Sequence, residues 1–72
     1  MLRDVLSEEE MRIMDMTLEG LTCRIIARRM GRETRQLINK RHTIVEKLGA
    51  RNIAQASVIY YREKTREAAQ LS

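Results

Sequence analysis

The chain has 72 residues, a formal net charge of +4 and 43% hydrophobic residues, with two tyrosines but neither phenylalanine nor tryptophan. This length favours a single domain of residues 1–72, with a core of about residues 6–66. Because Cys23 is the one cysteine and His42 the one histidine, the sequence excludes an internal disulfide and a zinc cluster. We therefore expect no metal and no cofactor. One unpaired cysteine is typical of the reducing cytosol, and no apolar run approaches the roughly 20 residues that cross a membrane, so we expect a cytoplasmic protein without membrane contacts.

The first predicted helix spans residues 8–19. Ser7 and Glu10 form the capping-box pattern S-x-x-E, and the acidic residues after Ser7 lie at the positive end of the helix dipole. Gly20 supplies the C-terminal stop. Helical spacing gives this segment an apolar stripe, which comprises Met11, Met14, Leu18 and Leu21.

The second and third predicted helices are separated by a short turn. The second begins after the N-cap residue Thr22 and ends at Gly31, after barely two turns, and the third spans about residues 34–48. The apolar residues of the second helix are Ile25, Ile26 and Met30. A short helix that ends in glycine and is followed within a few residues by another helix is typical of a helix-turn-helix.

The third predicted helix has an apolar face and a polar face. At about 100° per residue, Leu37, Ile44 and Leu48 share one stripe. The opposite face carries Arg35, Gln36, Asn39, His42, Thr43 and Glu46. We therefore expect one side of this helix to pack on the core and the other to meet solvent or a partner.

A fourth helix of about residues 53–68 follows the stop at Gly49 and is capped by Asn52. We expect residues 67–72 to fray. The pattern as a whole predicts an all-α fold, a compact four-helix domain that contains a helix-turn-helix.

Basic charge is concentrated in the middle of the chain. Residues 24–51 contain nine lysines or arginines and two glutamates, whereas residues 1–23 contain two arginines and six acidic residues. Such a concentration is typical of a polyanion-binding face. The chain has no acid pair in a pocket-forming context, no activated nucleophile pattern and no phosphate-cradling glycine loop, so we expect no catalytic residues and no enzymatic activity.

Three sequence blocks, in order and at matching separations, resemble the LuxR/GerE-type helix-turn-helix domain of bacterial transcriptional regulators. Residues 6–22, LSEEEMRIMDMTLEGLT, are similar to the opening L-[ST]-x-x-E and the later E-G-L-[ST] of that family. Residues 25–31, IIARRMG, are similar to E-I-A-x-x-L-G, and residues 47–56, KLGARNIAQA, to K-L-G-[VA]-x-[NS]-x-x-Q-A. From the first block to the last, the resemblance spans about fifty of the 72 residues.

The resemblance implies that the third helix enters the major groove of double-stranded DNA. It assigns base contacts to Ile38, Asn39 and His42, and the helical period independently turns Asn39 and His42 outward. Asn39 has the donor and acceptor to pair with adenine, and Ile38 the aliphatic surface to meet a thymine methyl group. The expected phosphate contacts are Thr22, Arg24, Arg35, Gln36, Lys40 and Arg41.

The resemblance also implies a homodimer, because the last helix of this family commonly forms the dimer contact. The residues expected at this interface are Ala56, Ser57, Tyr60 and Tyr61. A symmetric dimer would read two half-sites about 34 Å apart. In the alternative interpretation, Ile59 and Tyr60 simply cover the thin core of one chain.

The turn departs from the family pattern G-[IV]-S-x-x-T-V. Arg32 stands in place of an aliphatic residue, Glu33 in place of a serine and Gln36 in place of a threonine. The resemblance implies a sequence-specific transcriptional regulator in the bacterial cytosol or nucleoid. These departures and the acidic first helix motivate the alternative, a protein-interaction module of the same fold that binds another regulator or RNA polymerase.

Overall fold

The computed structural model describes residues 1–71, which form five α-helices joined by short turns. These are α1 (Leu2–Val5), α2 (Glu8–Leu18), α3 (Cys23–Met30), α4 (Thr34–Lys47) and α5 (Ile53–Leu71). No strand occurs among them. The predicted all-α fold is confirmed, and α3 and α4 are the two helices of the predicted helix-turn-helix.

Helix α1 was not among the four predicted helices, because a four-residue segment is too short to show a helical period. Leu2 is 5% exposed and belongs to the core, and its backbone N–H donates to Oε1 of Glu67 at 2.6 Å. The expectation that the tail frays from residue 67 onward is wrong for residues 67–71, since α5 continues through them. Ser72 lies outside the described residues.

The predicted caps set the helix starts. Oγ of Ser7 accepts the N–H of Glu10 at 3.1 Å, and Oε1 of Glu10 accepts the N–H of Ser7 at 2.8 Å. Thr22 caps α3 through Oγ1, and Asn52 caps α5 through Oδ1. Gly31 ends α3 with a φ of +67°, a backbone conformation that residues with a Cβ rarely adopt. Local signals therefore place α2, α3 and α5 correctly.

The helices enclose one small core. Its buried residues are Leu2, Leu6, Ile13, Met14, Ile26, Ala27, Leu37, Ile44, Ala56 and Tyr60. Two residues of the predicted apolar stripes are on the surface instead, since Leu18 is 39% exposed and Ile25 is 40% exposed. The inward face of α2 is turned by about one residue from the predicted stripe, because Ile13 joins Met14 in the core.

Tyr60 ties α5 to α2 from within the core. Its ring is 2% exposed, and its hydroxyl donates to Oδ1 of Asp15 at 2.8 Å. Nζ of Lys64 lies 2.5 Å from the same oxygen. Burial, reinforced by the hydrogen bond to Asp15, raises the pKa of Tyr60.

Two of the four α5 side chains expected at a dimer interface are buried within their own chain. Ala56 is 0% exposed and Tyr60 is 2% exposed. Both side chains are therefore buried in the core of their own chain and are not available to a second copy. Ser57 is partly exposed and Tyr61 is 61% exposed, so these two remain at the surface. Tyr60 belongs to the core, as the alternative interpretation expects, whereas Ile59 is only partly buried.

We expect Tyr60→Phe to lower the free energy of unfolding by about 1 kcal/mol, because the buried hydroxyl donor to Asp15 is lost while the ring is retained. Urea denaturation followed by circular dichroism measures the change. Tyr61→Phe is the matched control, since its exposed hydroxyl gives an expected change within about 0.5 kcal/mol. Equal effects of the two substitutions would contradict the role given to the Tyr60 hydroxyl.

Candidate nucleic-acid interface

Helix α4 presents a polar face to solvent because its apolar face is fully buried. Leu37 and Ile44 are 0% exposed and hold the helix against the core. The face predicted to lie opposite them is exposed along its whole length, and it consists of Arg35, Gln36, Asn39, His42, Thr43 and Glu46. Ile38 is also exposed, at 43%, although it is aliphatic. All three residues expected to contact bases therefore reach the surface.

Two shallow concavities flank the exposed face of α4. The first has a volume of about 280 Å³ and is lined by Arg32, Gln36, Asn39, Lys40 and Thr43. The second has a volume of about 330 Å³ and is lined by Ile38, Arg41, His42, Val45, Arg51, Asn52 and Ile53. The expected base contacts are thus divided between the two sides, with Asn39 in the first concavity and Ile38 and His42 in the second.

Arg32, which stands in place of a family aliphatic residue in the turn, is held by an acid of α2. Its Nε donates to Oε2 of Glu9 at 2.8 Å, and its Nη2 donates to Oε1 at 2.9 Å. A paired guanidinium and carboxylate is among the stronger and more directional ion pairs. The turn is therefore fastened to α2 by a polar contact instead of an aliphatic side chain.

The other two unusual turn residues start α4 together. Glu33 is the N-cap residue of α4, and its backbone N–H donates to Oε1 of Gln36 at 3.0 Å. This bond is the half of a capping box in which the side chain of the N3 residue accepts the backbone N–H of the N-cap residue. Gln36 remains exposed, and its amide NH₂ group has no hydrogen bond within the described residues.

Two of the expected phosphate contacts lie against their own chain. Nζ of Lys40 is 3.2 Å from Oε1 of Glu9, and the guanidinium of Arg41 donates to Sγ of Cys23 on α3. Nε of Arg41 is buried and has no hydrogen-bond partner within the described residues. Sequence reasoning missed these partners because each lies on another helix.

Arg24 and Arg35 differ from these two cations. Both are exposed, and neither forms an ion pair within residues 1–71. Arg24 follows the capped start of α3, where the hydroxyl of Thr22 accepts the N–H of Ile25 at 3.3 Å. Among the expected phosphate contacts, these two are exposed arginines without an acidic partner in residues 1–71.

Two carboxylates of α2, Glu9 and Glu10, have pKa values that nearby cations lower. The hydrogen bond from Arg32, and then that from Lys40, holds the pKa of Glu9 below its ordinary value of 4.5. Burial alone would raise the pKa of Glu10, but hydrogen bonds from Lys47 and Ser7 outweigh it and leave that pKa lowered. Nζ of Lys47 lies 2.8 Å from Oε1 of Glu10 and anchors the last turn of α4 to the first turn of α2.

Two residues that line the first concavity, Arg32 and Thr43, were not among the expected contacts. Thr43 was placed on the outer face of α4 by its period, but Arg32 gave no local signal because its position depends on Glu9.

No group of three or more potential metal ligands occurs within the described part of the chain. No helix of residues 1–71 combines the length and the apolar composition needed to cross a membrane.

The comparison with known families gives one match. The model of the family described as bacterial regulatory proteins, luxR family (GerE), matches residues 4–60 of the 72-residue chain. The matched part contains α2, α3, α4 and the first turns of α5. No curated protein and no solved structure matches the chain significantly.

The lowered pKa of Glu9 gives a pH-dependent contribution to stability. Because the folded pKa is below 4.5, the contribution is fully present above that value and is lost as the pH falls through the folded pKa. We therefore expect Glu9→Gln to destabilise the protein by about 1 kcal/mol at neutral pH and by much less in strong acid.

Urea denaturation of both proteins at neutral and acidic pH measures this difference. Glu8→Gln is the matched control, since Glu8 is exposed in the same helical turn and forms no ion pair within the described residues. A destabilisation by Glu9→Gln that stays constant down to acidic pH would contradict the expected loss of the ion pairs.

Proposed function

The chain belongs to the luxR family of bacterial regulatory proteins, and on that premise we propose that it binds specific double-stranded DNA sequences and regulates transcription. The observation that carries the proposal is the orientation of α4. Buried Leu37 and Ile44 turn a polar face outward, on which Arg35, Asn39 and His42 are exposed. A helix of this kind fits the major groove, where side chains reach base edges.

Base recognition falls to three side chains in this proposal. Asn39 forms two hydrogen bonds to an adenine, which requires both its amide oxygen and its amide nitrogen. Ile38 contacts a thymine methyl group, for which its 43% exposure is favourable. His42 reaches a base or phosphate one turn further along α4.

Binding to the DNA backbone rests first on Arg24 and Arg35, because neither pairs with an acid in the part of the chain that the structure describes. Gln36 offers its amide NH₂ group to a phosphate, and the start of α3 at Thr22 offers the positive end of a helix dipole. The contribution of Lys40 and Arg41 is smaller, since they have partners inside the chain, Glu9 and Cys23.

Homodimerisation is a further part of the proposal, with an interface revised from the sequence prediction. A groove of about 540 Å³ runs between the end of α2 and α5, and its lining residues are Leu18, Ser57, Val58, Tyr61, Arg62 and Thr65. Val58 is 55% exposed and Tyr61 is 61% exposed. Two copies that meet through this surface would bury these apolar side chains symmetrically.

The site of action is the bacterial cytosol or nucleoid, in keeping with the DNA target and with the unpaired Cys23.

The competing function is a protein-interaction module that binds another regulator or RNA polymerase. The internal pairing of Arg32 and Lys40 favours that alternative, because it reduces the charge that faces a polyanion. Direct measurement of duplex binding separates the two functions.

DNA binding should weaken steeply as salt increases, since each phosphate contact releases condensed counterions. We expect Arg35→Ala to weaken binding to all sequences and to reduce the slope of log K against log salt by about 0.9. Asn39→Ala should instead cost about 1–3 kcal/mol at one base-pair position. Arg12→Ala, which removes an exposed cation of α2, is the control and should leave both quantities unchanged. Salt-insensitive or absent duplex binding, together with binding to a protein partner, would favour the alternative.

Dimerisation is tested by Val58→Asp, which puts a charge into the apolar surface of α5. We expect the variant to sediment as a monomer at concentrations where the wild type is a dimer, and to lose cooperative binding to paired half-sites. Gln70→Asp adds the same charge to an exposed position of α5 outside this surface and should leave the dimer intact. A dimer unaffected by Val58→Asp would rule out this interface.

A further inference from the structure

The first concavity beside α4 contains a charge arrangement that DNA binding alone does not require. Arg32 and Lys40 line it together with two amide side chains, Gln36 and Asn39. Such a set of donors is suited to an oxygen-rich anion. An anion is already present there, however, because the carboxylate of Glu9 contacts both cations.

The two cations are held unequally. Arg32 makes two hydrogen bonds to Glu9, at 2.8 and 2.9 Å, so its guanidinium is fixed by a paired contact. Lys40 makes one contact, at 3.2 Å, and its side chain is 37% exposed. Lys40 is therefore the more weakly held of the two cations. Arg32 and Lys40 together carry a charge of +2. The carboxylate of Glu9 reduces the net charge at this concavity to +1.

We propose that Glu9 attenuates DNA binding by acting as an internal counter-anion of this concavity, so that Lys40 delivers only part of its charge to a DNA phosphate. This inference rests on the proposed function. Glu9 lies on α2 and is 29% exposed in its side chain, so its negative charge also stands close to any phosphate that approaches Lys40. The expected ligand is a phosphate of the DNA backbone and not a base, which means that Glu9 changes affinity for all sequences equally.

Removing the carboxylate charge tests the proposal directly. We expect Glu9→Gln to bind a non-cognate duplex more tightly than the wild type, and to increase the magnitude of the salt slope by about 0.9, the value of one added phosphate contact. The gain in affinity should therefore be about threefold larger at 50 mM salt than at 200 mM salt. Glu8→Gln removes the same charge from the neighbouring, unpaired position and should change the slope much less.

A second comparison has one arm, in the wild-type background, that does not depend on how well Glu9→Gln folds. In the wild-type background, Lys40→Gln should reduce the salt slope less than Arg35→Gln, because Lys40 shares its charge with Glu9 and Arg35 has no ion pair. In the Glu9→Gln background, the two substitutions should reduce the slope equally. A merely structural role of Glu9 would lower affinity and would not steepen the salt dependence.

The outcomes separate this inference from the proposed function. Wild-type binding with a steep salt slope, combined with indistinguishable slopes for Glu9→Gln and Glu8→Gln, would overturn the role of Glu9 and leave DNA binding standing. Equal losses from Lys40→Gln and Arg35→Gln in the wild-type background would overturn it as well. Failure of the wild type to bind any duplex at low salt would overturn both.

Discussion

Burial of a single stripe of α4 is the constraint on which the interface depends. A 72-residue chain has little apolar surface to bury, so each core contact contributes a large share of its stability. Leu37 and Ile44 are fully buried, and their burial fixes the rotation of α4 about its own axis. That rotation exposes Arg35, Asn39 and His42 together. A helix held less firmly would not keep these side chains in a constant register toward a groove.

The charge separation along the chain has two roles in the folded protein. Part of the basic middle segment is neutralised internally by the acidic first segment, through the contacts of Glu9 with Arg32 and Lys40 and of Glu10 with Lys47. These pairs connect α2 to the turn before α4 and to the middle and the last turn of α4. Other cations of this segment, such as Arg24 and Arg35, form no ion pair within the described residues and are exposed to solvent. The charge counted from residues 24–51 alone therefore overstates the field that a polyanion meets.

Much of the fold could be predicted from sequence because its signals are local. Ser7, Thr22 and Asn52 cap helices through bonds to residues only three positions away, and Gly31 ends α3 through its own backbone conformation. The outward face of α4 followed from its period for the same reason. The short helix α1 escaped prediction, since the contacts that hold Leu2, with the core and with Glu67, come from distant parts of the chain.

The electrostatics of the candidate interface could not be predicted in the same way. In sequence, Lys40 and Arg41 are basic residues of the same helix as Arg35. Their partners, Glu9 and Cys23, lie on helices that only the tertiary structure brings near. Likewise, Tyr60 and Tyr61 are adjacent in sequence, but one is buried and the other is 61% exposed. Assigning a surface role to a residue of a small helical domain therefore requires the packing of its neighbours as well as its own helical period.

The central claim is that the exposed face of α4 is the surface that meets DNA. The most direct measurement is a titration of the isotope-labelled protein with duplex DNA, followed by amide and side-chain chemical shifts. The largest changes are predicted at Arg35, Ile38, Asn39 and His42, with smaller changes at the start of α3 and little change at the exposed end of α5. Changes centred on α2 or α5, with α4 unaffected, would contradict the claim.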